Sequence, residues 1–191
     1  MIRSTVVMII IILLIQSKTF AQDWINEFLN EGQADPSDIV GSFLMEMENA
    51  IGKNAPNIVF EDIKDGAIDS LSNYIGKVVL VNFWNTNCSG CIMQLPELNR
   101  LQETYIDSEF IVIYVSSEES TVLSDYFMDN KTEGYKVRVD RANLERPFQL
   151  LATPSAFIAD SEGVVRDVWI GPEKYDNIKK RIVPYLSSTE N

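Results

Sequence analysis

Hydrophobic positions along this chain change their period as it proceeds. An unbroken apolar run from Val6 to Ile15 follows Arg3 and gives way to Gln16-Ser17-Lys18-Thr19-Phe20-Ala21. From Asp23 to Ala50 the apolar residues recur at helical spacing. Trp24, Ile25, Phe28 and Leu29 make one short stripe that ends near Gly32, and Ile39, Val40, Phe43, Leu44, Met47 and Ile51 make a second. Asp35-Pro36 marks the start of that second helix, with Asp at the cap and Pro at the first helical position. After a linker at Gly52-Lys53-Asn54-Ala55-Pro56, short β-branched runs take over. They predict strands over 57–61, from Val78 through Phe83, over 111–115, over 136–139, over 153–160 and over 164–170.

Helical patterns lie between these strands. Leu71 to Ile75 gives a single turn, while Ile92, Leu95, Leu98, Asn99 and Leu101 form a stripe directly after the Val78 run. Glu119 to Asn130 turns Val122, Leu123, Tyr126 and Phe127 inward, and Asn143 to Leu151 is a helical or irregular link. Glu173 to Leu186 closes the chain with a buried stripe of Tyr175, Ile178, Ile182 and Tyr185, broken late by Pro184. Strand, helix, strand across 78–115 implies a parallel pair. Asp65-Gly66 is a hairpin-type turn, and Ser161-Glu162-Gly163 is so short that the strands it joins must be antiparallel. The expected fold is therefore α/β, a central mixed sheet flanked by helices, with a helical extension at the N-terminus.

The first run changes the picture of where the protein works. Ten apolar residues are too few to span a bilayer and suit the core of a signal peptide, with Thr19-x-Ala21 as the cleavage site. Residues 1–21 are expected to be a signal peptide and 22–51 a helical extension of an exported, periplasmic or extracytoplasmic protein. An uncleaved membrane anchor is the alternative. Removing residues 1–21 takes away Arg3 and Lys18 and no acid, leaving 14 basic against 28 acidic residues and a net charge of −14. So acidic a chain excludes nucleic acid as a partner, since phosphate binding wants basic patches.

Candidate chemistry is confined to one place. The chain has no histidine and only two cysteines, Cys88 and Cys91. That removes imidazole catalysis, histidine metal ligands and every four-thiolate zinc or iron–sulfur site built on this chain alone. No metal and no cofactor is expected beyond a redox-active Cys88–Cys91 disulfide. The pair sits between an apolar strand and a helical stripe, so the first cysteine falls in the first helical turn. Orphan N–H groups and the positive end of the macrodipole favour its thiolate there, and the second cysteine, one turn along, can resolve a mixed disulfide made by the first. A structural disulfide is the plainer alternative, but so short a loop removes little entropy from the unfolded chain. A Cu(I) carrier between two thiolates and a docking module with incidental cysteines are the readings from other classes.

The ordered motifs also resemble a known family. Gly76-Lys77-Val78-Val79-Leu80-Val81-Asn82-Phe83-Trp84 leads into Cys88-Ser89-Gly90-Cys91 and then Leu95-Pro96-Glu97-Leu98. With Ala55-Pro56 upstream and Thr153-Pro154-Ser155-Ala156-Phe157-Ile158-Ala159-Asp160 downstream, this is similar to the TlpA/ResA-like thioredoxins, which are related to the AhpC/TSA redoxins. The resemblance covers residues 52–188 and leaves a tail at 189–191. It implies a thioredoxin-like fold and a thiol–disulfide oxidoreductase that exchanges disulfides with extracytoplasmic proteins, usually as a reductant, fed by a membrane electron donor. A monomer is expected. It implies Cys88 as the attacking thiol, Cys91 as the resolving one, and Pro154 as a cis-proline facing the pair. Thr153 would offer its backbone to an extended substrate, and Trp84 would wall the site or simply be core. An oxidase or isomerase would use the same residues.

The departures from the family pattern fall on proton carriers. Asn82 stands where many thioredoxins bury an acid, Gln94 where ResA-like members place a glutamate, and Asn87 where an aromatic is common. Any substitute acid must come from a neighbouring loop. Glu118 and Glu119, just past the 111–115 strand, are the candidates for a proton relay, and solvated surface charge is the plainer reading of both and of Glu97.

Overall fold

The computed structural model describes residues 36–140, 142, 144 and 152–186. The predicted signal peptide, the first helical stripe, most of the 143–151 link and the tail lie outside the described residues. The chain divides into two units, residues 1–41 and 42–191, and the sheet belongs wholly to the second.

The predicted order of elements is present. Helix α1 (Pro36–Glu48) begins at the proline. It is followed by β1 (Val59–Asp62), β2 (Ile68–Ser70), a 3-10 turn over Leu71–Tyr74 and β3 (Val78–Phe83). Then come α2 (Ser89–Thr104), β4 (Phe110–Ser116), α3 (Ser120–Asp129) and β5 (Tyr135–Arg138). The second half of the sheet, β6 (Ser155–Ala159) and β7 (Val165–Ile170), precedes α4 (Tyr175–Ile182) and a final 3-10 turn over Val183–Tyr185. The strands form one sheet in the order β2-β1-β5-β4-β3-β6-β7. β3 runs parallel to β4 and antiparallel to β6, and β6 pairs antiparallel with β7, as the short turn requires.

Every residue of β3 is buried, which is why its sequence is an apolar run rather than an alternation. Alternate side chains enter different cores. Val79, Val81 and Phe83 join Phe43, Met47, Phe60 and Phe157 on one face. Val78 and Leu80 join Leu95, Leu98, Leu101, Ile178 and Ile182 on the other. The second stripe thus packs on the domain through Phe43 and Met47, although Ile51 is exposed. The side chains of Ile39 and Val40 lie outside the described residues.

Three inward assignments fail: Ile51, Val122 and Ile92 are 44%, 45% and 43% exposed. Tyr185 is half-buried and packs against the core. Ile92 and Val122 lie on the margins of their stripes, where a helix as wide as α2 or α3 turns away from a flat sheet. Among the described residues, no helix is long and apolar enough to cross a membrane.

Candidate active site

Cys88 is the N-cap of α2, one residue earlier than its expected place in the first turn. The position suits the chemistry better. A capping side chain accepts a hydrogen bond from an orphan N–H of the opening turn, and here Cys88 Sγ accepts from the backbone N–H of Cys91 at 3.1 Å. The two sulfurs are joined as a disulfide, with Cα atoms 5.2 Å apart. Their environments differ. Cys91 is 1% exposed among Leu95, Trp84 and the sheet, while Cys88 is only partly buried at the rim. Cys88 is therefore the sulfur open to an incoming disulfide, and Cys91 is closed to it.

The loop before β6 closes the other side. The Thr153-Pro154 peptide bond is cis, and the Thr153 carbonyl oxygen lies 3.4 Å from Cys88 Sγ. Pro154 is buried, with its own carbonyl accepting from the Gly171 N–H at 2.8 Å. Gly90, the third residue of the motif, runs against this loop. A Cβ placed on it would stand 3.2 Å from Pro154 Cδ and 3.6 Å from Pro172 Cδ. Asn85 ties the loop entering the motif to the same place, its Nδ2 donating to Thr153 Oγ1 at 3.1 Å.

The other candidates are placed apart. Trp84 is 2% exposed, with the rings of Tyr126 and Phe127 tilted against it at centroid distances of 5.2 and 5.1 Å. A ring so covered packs in the core cluster that also holds Cys91, the plainer of its two readings. Glu119 is 77% exposed and faces Arg138 at 3.6 Å, the plainer reading of that residue. Glu118 accepts from the Thr86 N–H at 2.9 Å and the Thr86 hydroxyl at 2.7 Å, on the loop before Cys88. Glu97 is not merely solvated: it takes the Tyr175 N–H and the Lys174 ammonium, each at 3.1 Å, and so caps α4.

Two uncharged polar side chains are buried on the side of the sheet that carries Cys91. Asn82 and Gln94 are each 1% exposed, and neither Gln94 amide atom nor Asn82 Oδ1 has a hydrogen-bond partner among the described residues. Asn82 sits in register between Tyr114 and Ala156, on the sheet face that carries α2. Asn85, Thr86, Gly90 and Pro172 were not singled out from sequence. Gly90 alone gave a signal, a glycine inside the motif; the others act through contacts between distant segments.

A sequence model of the AhpC/TSA family matches residues 51–168, more than half of the chain. The chain belongs to the AhpC/TSA family. Within this family it is similar to the thioredoxin-like protein YneN of Bacillus subtilis, 29% identical over 122 residues, covering 63% of this chain and 71% of YneN. It is also similar to the thiol-disulfide oxidoreductase ResA of Bacillus thuringiensis, 27% identical over 148 residues, 76% of this chain and 82% of ResA. Among solved structures, a thiol:disulfide interchange protein from a Bacteroides species is 25% identical with a TM-score of 0.63, covering 74% of this chain and 93% of its own. A DsbE-type protein from Chlorobium tepidum, at 23% identity and a TM-score of 0.65, covers 72% of this chain and 98% of its own and shares the fold. This AhpC/TSA member is a TlpA/ResA-like protein with the thioredoxin-like fold, and with its Cys88–Cys91 pair it is a thiol–disulfide oxidoreductase.

Proposed function

We propose that the protein is exported and reduces disulfides of extracytoplasmic proteins. The observation that carries this reading is the asymmetry of the pair, with Cys88 Sγ at the rim beside the Thr153 carbonyl and Cys91 buried behind it. The Cys88 thiolate attacks one sulfur of a substrate disulfide laid along the Thr153-Pro154 loop. The substrate S–S bond breaks, and its other sulfur leaves as a thiolate that takes a proton from water. Cys91 then gives up its proton and attacks Cys88 Sγ, expelling the second substrate thiolate. Two electrons have passed to the substrate and the Cys88–Cys91 disulfide has formed. Outside the cytosol a membrane dithiol donor restores the pair by the reverse exchange. The apolar run at 6–15 and the acidic remainder support export.

The test uses the pair itself. Cys91→Ser, expressed with its native N-terminus, accumulates mixed disulfides on exported proteins, whereas Cys88→Ser captures none. Equilibration of wild type with dithiothreitol and glutathione buffers gives a potential at or below about −270 mV, thioredoxin's range. A value of about −120 to −180 mV overturns the reducing direction. A mature chain that retains residues 1–21 in the cytosol overturns export.

A further inference from the structure

The loop between β3 and α2 carries Cys88, and it is held from two sides. Asn85 is tied to Thr153, and Thr86 is tied to Glu118, which stands beyond the end of β4. The second tie is the denser one. Glu118 Oε1 accepts the Thr86 hydroxyl at 2.7 Å, and Oε2 accepts the Thr86 N–H at 2.9 Å and the Ser116 hydroxyl at 3.1 Å. The Ser116 hydroxyl in turn accepts from the Glu118 N–H at 3.2 Å, which fixes the carboxylate's own backbone. Short bonds from neutral donors to an ionised carboxylate are about twice as strong as neutral pairs. They also need no long side chain to be immobilised on the Thr86 side.

Both carboxylate oxygens are therefore committed to holding the loop two residues before the attacking sulfur. The same loop closes on itself through the Cys88 N–H and the Asn85 carbonyl at 3.3 Å, so a shift at Thr86 passes directly to Cys88. We propose that Glu118 is a positioning residue for Cys88: by clamping Thr86 it sets where the attacking sulfur stands relative to the Thr153 carbonyl. The inference rests on Cys88 being the attacking thiol. It replaces the proton-relay role expected of Glu118, because a relay needs an oxygen turned to the sulfur or its water, and here both are turned to Thr86.

The experiment is a double-mutant cycle in full-length Cys91→Ser protein, following single-turnover attack of reduced Cys88 on a small aromatic disulfide. Thr86→Val and Glu118→Ala each slow attack about tenfold, the size expected for hydrogen bonds to a charged group. Thr86→Val removes the hydroxyl bond and keeps the N–H bond, whereas Glu118→Ala removes both, so the double variant is no slower than Glu118→Ala alone. Thr86→Ser, which keeps the hydroxyl, stays within about twofold of the parent, inside the error of such cycles. Thr86→Val leaves the carboxylate charge in place, so its pH–rate profile keeps the parent's midpoint while the rate falls. Amide hydrogen exchange read at Thr86 loses protection in Glu118→Ala, and this measurement stands even where a variant is too unstable for kinetics. Losses that multiply in the double variant, or a Thr86→Val protein that attacks at the parent rate, overturn the clamp. A Glu118→Ala profile of altered shape beside an unaffected Thr86→Val restores the relay. Parent protein that never attacks a disulfide, with Thr86 protection still dependent on Glu118, would instead refute the exchange function and leave the clamp standing.

Discussion

Replacing Gly90 by alanine adds one methyl group between two proline rings. Built on the Gly90 backbone, the Cβ lies 3.2 Å from Pro154 Cδ, with Pro172 Cδ and Cγ at 3.6 and 3.7 Å. Carbon atoms rest at about 3.5–4.0 Å, so the Pro172 contacts are ordinary and the Pro154 contact is too close by a few tenths of an ångström. Whether Pro154 can yield decides the sign. Its carbonyl is bonded to Gly171, and Ser155, the next residue, is already paired in β6 with Phe83 on one side and Ile170 on the other. The ring therefore moves only by disturbing the first paired residue of β6. Overpacking of this kind costs about 1–3 kcal/mol, while alanine's helical preference over glycine returns at most about 1 kcal/mol and less in a first turn. Gly90→Ala should lose about 1 kcal/mol, read as a lower urea midpoint of the oxidised protein with an unchanged slope. Because Thr153 moves with Pro154, capture of a substrate disulfide by the Cys91→Ser background should slow as well. A Gly90→Ala protein that is as stable as its parent and captures at the parent rate would refute the reasoning.

Two further predictions concern stability. Burial alone would push the Asp160 carboxyl up, but the Val164 and Glu162 N–H groups and the Arg166 guanidinium outweigh it and hold it below the usual range. Lys174, then the Tyr175 N–H, does the same for Glu97. Depressed carboxyls contribute stability that is whole above their unfolded values of about 3.9 and 4.3 and is lost as pH falls through the folded ones. Urea midpoints should therefore drop below about pH 4.5, and Asp160→Ala, which removes the acceptor for all three donors, should flatten that fall at a cost of about 2–3 kcal/mol at neutral pH. Asp160→Asn keeps Oδ1 for the two N–H groups and should lose only about 1 kcal/mol; equal losses in the two variants would show that the Arg166 contact dominates. Leu98 is fully buried between α2 and the sheet, so Leu98→Ala should cost about 2–5 kcal/mol by the same denaturation assay.

Most of the fold was legible because both periods are clean. The β3 run, the 161–163 turn and the stripe of Tyr175, Ile178 and Ile182 each dictate an element and its buried side. Errors gathered at stripe margins, as with Ile92 and Val122, where helical spacing marks a face but not how far the neighbouring layer reaches. At the site, the cysteines and the Thr153-Pro154 loop were visible as motifs. Thr86, Pro172 and the cap that Glu97 makes for α4 were not, since each depends on which distant segment lies opposite. Trp84 shows the same limit from the other side. Its place next to the motif suggested a wall of the site, and the fold turns it into the interior.

The amides at positions 82 and 94 carry an electrochemical consequence. Buried Asn82 and Gln94 can orient a proton but cannot store one, and the chain has no histidine to do so. Every proton that accompanies the two electrons must then be exchanged with solvent through the cysteine sulfurs themselves. The midpoint potential of such a pair shifts by about 59 mV per pH unit below both thiol pKa values, twice the 29.6 mV of a tenfold change for a two-electron couple. A substrate dithiol of the same slope shifts in step, so below the thiol pKa values the driving force for exchange between the two pairs does not change with pH.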